Sequence, residues 1–294
     1  MKNLVLRSFT GVIYVALIIG SIFLGPYSFL CLFSIITVSC LWELSGLLQA
    51  MPSSQETQTN PKSSKGTLGP RLMACAGGLV LFVSSYLFAS KTCGIGILSL
   101  YLLFVVFVLV AELYLKNDNP IQELGKLFLG QFYIALPFSL LNFLAFDPTF
   151  DPTFNLSSSY SPMFVGSLFL FIWLNDTGAY IVGVKFGRHR LFERISPKKS
   201  WEGFFGGLFF TLSCAWLVYN LIPDIAFYHW LALALIVVVL GTWGDLVESL
   251  IKRTLGVKDS GKSLPGHGGF LDRFDSVLLA VYGMFIYVNL FIRS

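Results

Sequence analysis

Charged residues are scarce in this chain of 294 residues. Asp, Glu, Lys and Arg make up 12% of it, whereas hydrophobic residues make up 55% and include 29 Phe. An ordinary globular domain carries about 25% charged residues. With half that share, most side chains must face lipid or one another, which excludes a soluble domain of usual composition. The composition predicts an all-α, polytopic integral membrane protein.

Cysteine is also sparse, and its spacing excludes two classes of site. None of the five cysteines forms a C-x-x-C pair, and all lie within or beside apolar runs; they are Cys31, Cys40, Cys75, Cys93 and Cys214. Such a pattern indicates neither a disulfide framework nor a zinc site. We expect these residues to pack as small apolar side chains.

The chain also lacks the strand that a P-loop nucleotide-binding site requires. The octet GVKDSGKS at 256–263 matches the P-loop pattern G-x-x-x-x-G-K-[ST]. A P-loop needs a buried strand that leads into the glycine turn of a soluble α/β sheet, and this octet follows an apolar helical run instead. We therefore interpret the octet as part of a loop at the membrane surface.

Long apolar runs dominate what remains. Runs of about 17 to 25 residues can cross a bilayer as helices. Nine are predicted, at 9–25, 28–49, 72–90, 94–115, 127–146, 162–183, 203–222, 229–251 and 275–292. No small-residue cleavage site follows the first run, so we expect a retained span rather than a signal peptide. The Ser-, Thr- and Pro-rich stretch 51–70 is predicted to be a mobile loop.

The basic residues predict the orientation of these helices. If nine helices alternate, the N-terminus shares one face with the loops at 50–71, 116–126, 184–202 and 252–274. Those five segments hold 2, 3, 2, 6 and 5 basic residues, which is 18 of the chain's 20. We therefore predict a cytoplasmic N-terminus, a C-terminus outside, and a multi-pass location in the cell (inner) membrane.

Carboxylates in the predicted spans mark function or pairing, because a charge in lipid is costly. Five lie toward the predicted cytoplasmic ends of their spans, namely Glu43, Glu112, Asp176, Asp245 and Glu248. They predict a shallow polar cavity beneath the two most basic loops, which suits an anionic, water-soluble substrate. Glu43 and Glu112 receive no role. Asp176 has a structural alternative, either pairing with Lys185 or capping a helix irregularity near Gly178.

One stretch, SLIKRTLGVKDSGKSLPGHGGFLDRFD at 249–275, concentrates polar groups between two apolar runs. Asp272 and Asp275 are three residues apart, so both can face one way at a helix start. Asp245 and Glu248 have the same spacing at the end of the preceding helix. Carboxylates that converge in this way suit Mg²⁺. A salt bridge with Arg273 is a competing interpretation for these acids.

The pattern S-x-x-K-R-x4-K-D-x-G-x2-L-P-x-H-G-G-x-x-D-R-x-D in this stretch resembles the signature of the phosphatidate cytidylyltransferase family, also called CDP-diacylglycerol synthases. The matching positions are Ser249, Lys252, Arg253, Lys258, Asp259, Gly261, Leu264, Pro265, His267, Gly268, Gly269, Asp272, Arg273 and Asp275. The stretch at 174–204 resembles the preceding loop of the same family, with Ser200 where Thr is as frequent. The resemblance is strong from about residue 165 onward.

The resemblance implies that CTP and phosphatidic acid react to give CDP-diacylglycerol and diphosphate. It implies Mg²⁺, with room for a second cation, on Asp245, Asp272 and Asp176. The implied catalytic residues are Asp245, Asp272, Asp275, Lys252, Arg253 and Arg273. The implied substrate-binding residues are Lys198, Lys199, Lys258, Asp259, His267 and Ser249. A homodimer is expected, and no nucleic-acid partner.

The chain is predicted to divide into two regions. Residues 1–160 are predicted to form an N-terminal transmembrane region, and 161–294 a C-terminal catalytic region.

Three other functions are alternatives to the enzyme. A transporter or channel would also contain intramembrane acids, although it would place them near the bilayer midplane. A CDP-alcohol phosphotransferase would need the pattern D-G-x2-A-R-x8-G-x3-D-x3-D, which is absent. A nucleotide-regulated scaffold without catalysis is the third alternative.

Overall fold

The fold is known from a computed structural model that describes residues 2–50, 68–115, 117–146, 160–261, 263 and 268–293, with side chains from residue 11 onward. Most of the predicted mobile loop, 51–67, lies outside the described residues. The chain divides into two compact units, residues 1–142 with 255–272 and residues 143–254 with 273–294. The predicted division at residue 160 concerns which part carries the chemistry, and it stays a prediction.

The regular secondary structure described in the N-terminal half of the chain is helical. Its helices are α1 Lys2–Phe23, α2 Pro26–Gln49, α3 Leu68–Ala89, α4 Ser99–Leu115, α5 Pro120–Gly130 and α6 Leu136–Ala145. Gly25 precedes α2 with a φ of 130°, a conformation open to glycine, and Pro26 then begins the helix because its missing N–H costs nothing there. A π-helical segment, Gln131–Ala135, joins α5 to α6 as one continuous helix.

Polar side chains tie this continuous helix to α3 inside the first unit. Gln131 donates to the carbonyl of Ala74 at 2.9 Å, and Asn142 donates to the carbonyl of Phe82 at 3.0 Å. Both amides are buried. Side-chain amides at such depth are stabilised by hydrogen bonds to backbone carbonyls, since water is absent there.

The second unit contains three long helices and most of a fourth. Its elements are α7 Met163–Phe186, β1 Arg190–Phe192, β2 Ser196–Ser200, α8 Trp201–Leu221, α9 Phe227–Thr254 and α10 Leu271–Tyr287, which continues as a π-helical segment, Val288–Ile292. Glycines let α7 and α8 pack closely: a Cβ on Gly178 would lie 3.0 Å from the carbonyl oxygen of Gly206. The short antiparallel hairpin β1–β2 was not predicted; the sequence analysis gave only a loop at 184–202.

The prediction of about nine apolar helices is confirmed. Eight described helices are long and apolar enough to cross a membrane, with Pro120–Ala145 counted as one. The additional helix α1 is 22 residues long, and its described apolar part is Gly11–Phe23. The chain is therefore a multi-pass membrane protein, and the orientation of its termini stays a prediction.

Candidate active site

The candidate site is an acidic cluster built by two helices of the second unit. Asp245 and Glu248 lie one turn apart on α9, and Asp275 lies near the start of α10. One carboxylate oxygen from each of the three lies within 4.8 Å of the others. Glu248 is fully buried, whereas Asp245 and Asp275 are half-buried. The structure thus brings together three of the carboxylates that the sequence analysis expected to converge.

A glycine lets α9 and α10 come close enough for this cluster to form. A Cβ built on Gly244 would lie 2.6 Å from the carbonyl oxygen of Asp275, a distance that side chains do not tolerate. One turn earlier, a Cβ on Gly241 would lie 3.6 Å from Ser276 Cβ, which is an ordinary contact. The hydrogen atom at Gly244 therefore allows the backbone approach that sets the cluster's spacing.

Neighbouring polar groups compensate part of the negative charge of the acidic cluster. The Lys199 ammonium lies 2.7 Å from Asp245 Oδ2, and Ser249 Oγ donates to Asp245 Oδ1 at 3.3 Å. Lys252 forms an ion pair with Glu248, one turn away on α9. Three residues predicted for substrate binding or catalysis thus contact the acidic cluster directly.

A cavity of about 590 Å³ opens beside the acidic cluster, within the second unit. Asp245 lines it together with Asp176 from α7 and with Lys198 and Lys199 from β2. Both Asp176 and Lys198 are exposed. The cavity therefore offers carboxylates for a cation and ammonium groups for phosphate oxygens, the combination required by a magnesium-bound polyphosphate.

The structural alternative for Asp176 is not what the described residues show. No ion pair joins Asp176 to Lys185 within the described part of α7, and the Lys185 ammonium lies 5.4 Å from the ring centroid of Phe186. Gly178 lies two residues beyond Asp176 in uninterrupted α-helix and packs against α8. Asp176 thus faces the cavity, as its predicted site role requires.

Local capping positions the lysines of β2 at this cavity. Ser200 begins α8 as its N-cap, and its Oγ accepts from the backbone N–H of Gly203 at 3.2 Å. Glu202, in the first turn, accepts from His189 Nδ1 at 2.6 Å and from the backbone N–H of Arg188 at 3.1 Å. The side chains of Ser200 and Glu202 hold both ends of the hairpin at the start of α8. This fixes the position of the strand from which the Lys199 side chain extends.

The acidic cluster fits a divalent cation by its chemistry. Three carboxylates supply hard oxygen donors from rigid helices, which is the ligand type that Mg²⁺ binds, usually with waters and substrate phosphates as further ligands. The membership differs from the predicted ligand set in two places. Among the described carboxylates, the converging group includes Glu248 and Asp275 beside Asp245, whereas Asp272 and Asp176 are not part of it.

Asp272 belongs to the first unit and makes its described hydrogen bonds there. Its Oδ2 accepts from the backbone N–H of Gly269 at 2.8 Å and from that of Ser260 at 3.0 Å. These bonds join Ser260 and Gly269, in the loop between α9 and α10, to the first turn of α10. The assignment of Asp272 as a metal ligand stays a prediction.

Four other predicted site residues are described and have exposed side chains; they are Arg253, Lys258, Asp259 and Arg273. His267 lies outside the described residues. Their roles stay predictions.

Two acids that the structure places prominently were left out of the residues assigned to the site. Glu248 completes the acidic cluster, and its spacing of three residues from Asp245 was a usable signal. Glu43 accepts four hydrogen bonds from the loop between α9 and α10. Nothing in the sequence near Glu43 could have indicated this, because its partners lie more than 200 residues away.

Comparison with known proteins shows the family to which the chain belongs. The family model described as "Cytidylyltransferase family" matches residues 5–291. A Bacillus subtilis protein named phosphatidate cytidylyltransferase is 35% identical over 215 residues, which is 72% of this chain and 76% of that protein. The match therefore extends well beyond the two motif stretches.

Relatives from staphylococci match a shorter stretch more strongly. Proteins named phosphatidate cytidylyltransferase from Staphylococcus epidermidis and Staphylococcus aureus are 50% identical over 115 residues. This stretch is 38% of the present chain and 44% of each staphylococcal protein. Aligned residues thus span less than half the length of these relatives.

Proposed function

The chain belongs to the cytidylyltransferase family, and from that premise we propose that it is a phosphatidate cytidylyltransferase. It transfers the cytidylyl group of CTP to the phosphate of phosphatidic acid, giving CDP-diacylglycerol and diphosphate for phospholipid biosynthesis. The observation that carries the proposal is the acidic cluster, which lies beside a lysine-lined cavity in a family member built from apolar helices. One substrate is a lipid and the other a soluble polyphosphate, and these features suit both.

A magnesium ion is the cofactor that this proposal requires. Asp245, Glu248 and Asp275 would hold it, because their oxygens already converge and are of the type it prefers. When bound, Mg²⁺ supplies positive charge that offsets the charge of the triphosphate and of departing diphosphate. Asp176 and Asp272 are proposed to support this site or a second cation.

In the proposed reaction, an oxygen of the phosphatidate phosphate attacks the α-phosphorus of CTP. A new P–O bond forms, the bond between the α-phosphorus and the bridging oxygen to the β-phosphate breaks, and diphosphate leaves with that electron pair. A phosphate monoester has a second pKa of about 6, so the nucleophile is largely ionised at neutral pH. No strong general base is needed, and none is assigned to His267.

The residues of this chain act by alignment and by charge. Lys198 and Lys199 extend from β2 into the cavity, where they bind phosphate oxygens. Lys199 also contacts Asp245, so it couples the phosphate-binding wall to the acidic cluster. Orientation of two bound substrates and stabilisation of the leaving group together account for large accelerations of phosphoryl chemistry. Lys252, Arg253, Lys258 and Arg273 are proposed as further phosphate ligands.

The remaining substrate-binding assignments and the assembly state are also proposals. Ser249, Asp259 and His267 are proposed to bind substrate, on the strength of their positions in the matching stretch 249–275. The active form is proposed to be a homodimer at the cytoplasmic face of the inner membrane. Light scattering of the purified protein–detergent complex measures the number of chains directly.

The experiment that tests the function follows diphosphate release from purified protein in detergent. Phosphatidic acid and Mg²⁺ are supplied with each of the four nucleoside triphosphates in turn. We expect release with CTP alone, dependent on phosphatidic acid and lost in the Asp272→Asn and Asp245→Asn variants. Absence of release with every nucleotide, from folded and monodisperse protein, would overturn the proposal in favour of a transporter.

A further inference from the structure

Glu43, near the end of α2, is a buried carboxylate whose described partners all belong to the loop between α9 and α10. Its Oε1 accepts from Ser263 Oγ at 2.7 Å and from the backbone N–H of Phe270 at 3.0 Å. Its Oε2 accepts from Ser260 Oγ and from the backbone N–H of Leu271, both at 3.0 Å. The side chain is 8% exposed. Both ends of the segment 260–271 are therefore fastened to one side chain.

Both carboxylate oxygens of Glu43 act as acceptors, because each faces one backbone N–H group and one serine hydroxyl. A carboxylate has about four acceptor positions, enough for all four bonds. In an amide, one of the two oxygens is replaced by an NH₂ group that cannot accept from the backbone N–H it faces, so a hydrogen bond is lost in a buried site. The two backbone donors lie at the N-terminal end of α10, where N–H groups lack helical partners and the helix dipole favours an anion.

The loop sequence leaves space for this carboxylate. A Cβ on Gly261 would lie 2.7 Å from Glu43 Oε1, and a Cβ on Gly269 would collide with Glu43 Oε2. Both glycines therefore let the loop backbone close over the carboxylate. Asp272 adds a second tie, since it accepts from the backbone N–H groups of Ser260 and Gly269. Ser260 is thus held by two acids at once.

We propose that Glu43 is a positioning residue for the reaction: it holds the described loop residues Ser260, Ser263 and Phe270 against the start of α10, where Asp272 lies. The catalytic part of this inference rests on the proposed function. Lys258 and Asp259, predicted to bind substrate, immediately precede the fastened segment. A residue of the N-terminal region, otherwise without an assigned role, thereby shapes the loop that carries the family signature.

The first test measures loop order without any need for activity. Hydrogen–deuterium exchange is followed in detergent at the amides of Phe270 and Leu271, which donate to Glu43, in wild type and in Glu43→Gln. We expect exchange at these amides to rise about tenfold or more, because a glutamine cannot accept from both backbone N–H groups and both hydroxyls. Glu112→Gln is the matched control; its carboxylate accepts from Asn117 Nδ2 at 2.7 Å, and it should leave these amides unchanged. Wild-type exchange in Glu43→Gln would overturn the proposal.

The second test uses diphosphate release and a pair of substitutions that separates charge from size. If both oxygens of Glu43 are needed as acceptors, Glu43→Asp retains more activity than Glu43→Gln, and the glutamine variant loses on the order of 10- to 100-fold. If Glu43 merely fills space, the isosteric glutamine retains more, and the proposal fails. An inactive wild type would refute the proposed function alone, because the exchange measurement still decides the role of Glu43.

A third variant covers the case in which Glu43→Gln does not fold. Ser263→Ala removes one of the four donors and leaves the carboxylate in place. We expect a severalfold rise in exchange at Phe270 and Leu271, with thermal stability close to that of wild type. Unchanged exchange at both amides, in folded Ser263→Ala and Ser260→Ala proteins, would contradict the inference.

Discussion

The carboxylates of the acidic cluster and the carboxylate of Glu43 have opposite kinds of partner. The acidic cluster of Asp245, Glu248 and Asp275 faces other acids, two lysines and a cavity. Glu43 faces four hydrogen-bond donors of the protein itself. A carboxylate whose acceptor positions are filled by backbone and hydroxyl donors organises structure. Carboxylates that converge on one another instead need a cation to offset their repulsion.

The groups that an intramembrane acid faces indicate its role. Charge in an apolar helix is expensive wherever it occurs, so its presence alone does not separate a ligand from an anchor. The identity of the partners separates them. Donors of the loop backbone indicate an anchor at Glu43, whereas lysines that pair with Asp245 and Glu248 beside a cavity indicate a site for an ion and its anionic substrate.

The largest expected effect comes from breaking the acidic cluster. Asp245→Asn removes one charge with almost no change in size, and we expect diphosphate release to fall on the order of 10³-fold. Binding of Mn²⁺, followed by electron paramagnetic resonance as a readout independent of turnover, should weaken in parallel. Asp224→Asn, an exposed position between α8 and α9, is the matched control and should behave as wild type. Retained metal binding in Asp245→Asn would contradict the assignment.

The second prediction tests whether Lys199 competes with a cation for Asp245. Lys199→Gln should lower catalytic efficiency about 10- to 100-fold, because the positive charge proposed to bind phosphate oxygens is lost beside Asp245. The same change should lower the Mg²⁺ concentration that gives half-maximal rate, since the ammonium no longer neutralises the carboxylate 2.7 Å away. Lys185→Gln removes the same charge elsewhere on the chain and is the matched control. If Lys199→Gln left the magnesium dependence of the rate unaltered, competition between Lys199 and the cation for Asp245 would be refuted.

The third prediction concerns the helix contact that creates the cluster. Gly244→Ala adds a Cβ at 2.6 Å from the carbonyl oxygen of Asp275, so α9 and α10 must separate. We expect a loss of about 1–3 kcal/mol in stability together with reduced Mn²⁺ binding. Gly241→Ala, whose Cβ meets Ser276 at 3.6 Å, should cost far less. Equal thermal stability and equal metal binding in the two variants would show that helix spacing does not control the cluster.

Much of this architecture could be predicted because it depends on local sequence. Apolar length alone located nine helices, and the spacing of Asp245 and Glu248 indicated that α9 presents two acids on one face. The P-loop spelling at 256–263 was also correctly set aside, since the element that leads directly into it is the helix α9, where a P-loop would have a strand.

The remainder depends on contacts between distant segments, which periodicity and spacing do not encode. Glu43 was left without a role because a single acid in an apolar run looks the same whether it binds an ion or a loop. The hairpin β1–β2 was missed because two short strands within 190–200 carry no alternating pattern; four of the five residues in β2 are polar or charged. Its pairing and its caps at Ser200 and Glu202 emerge only in the folded chain.

The smallest expected effect tests how firmly the cavity wall itself is anchored. Ser200→Ala removes the side-chain cap of α8, which should cost about 1 kcal/mol of stability. Ser200→Thr keeps the hydroxyl and should be close to wild type in a thermal unfolding series. Because Ser200 also lines the cavity and ends the strand that carries Lys199, the alanine variant should lose several-fold in catalytic efficiency as well. If Ser200→Ala lost stability but kept full efficiency, Lys199 would be positioned by its ion pair with Asp245 rather than by the cap.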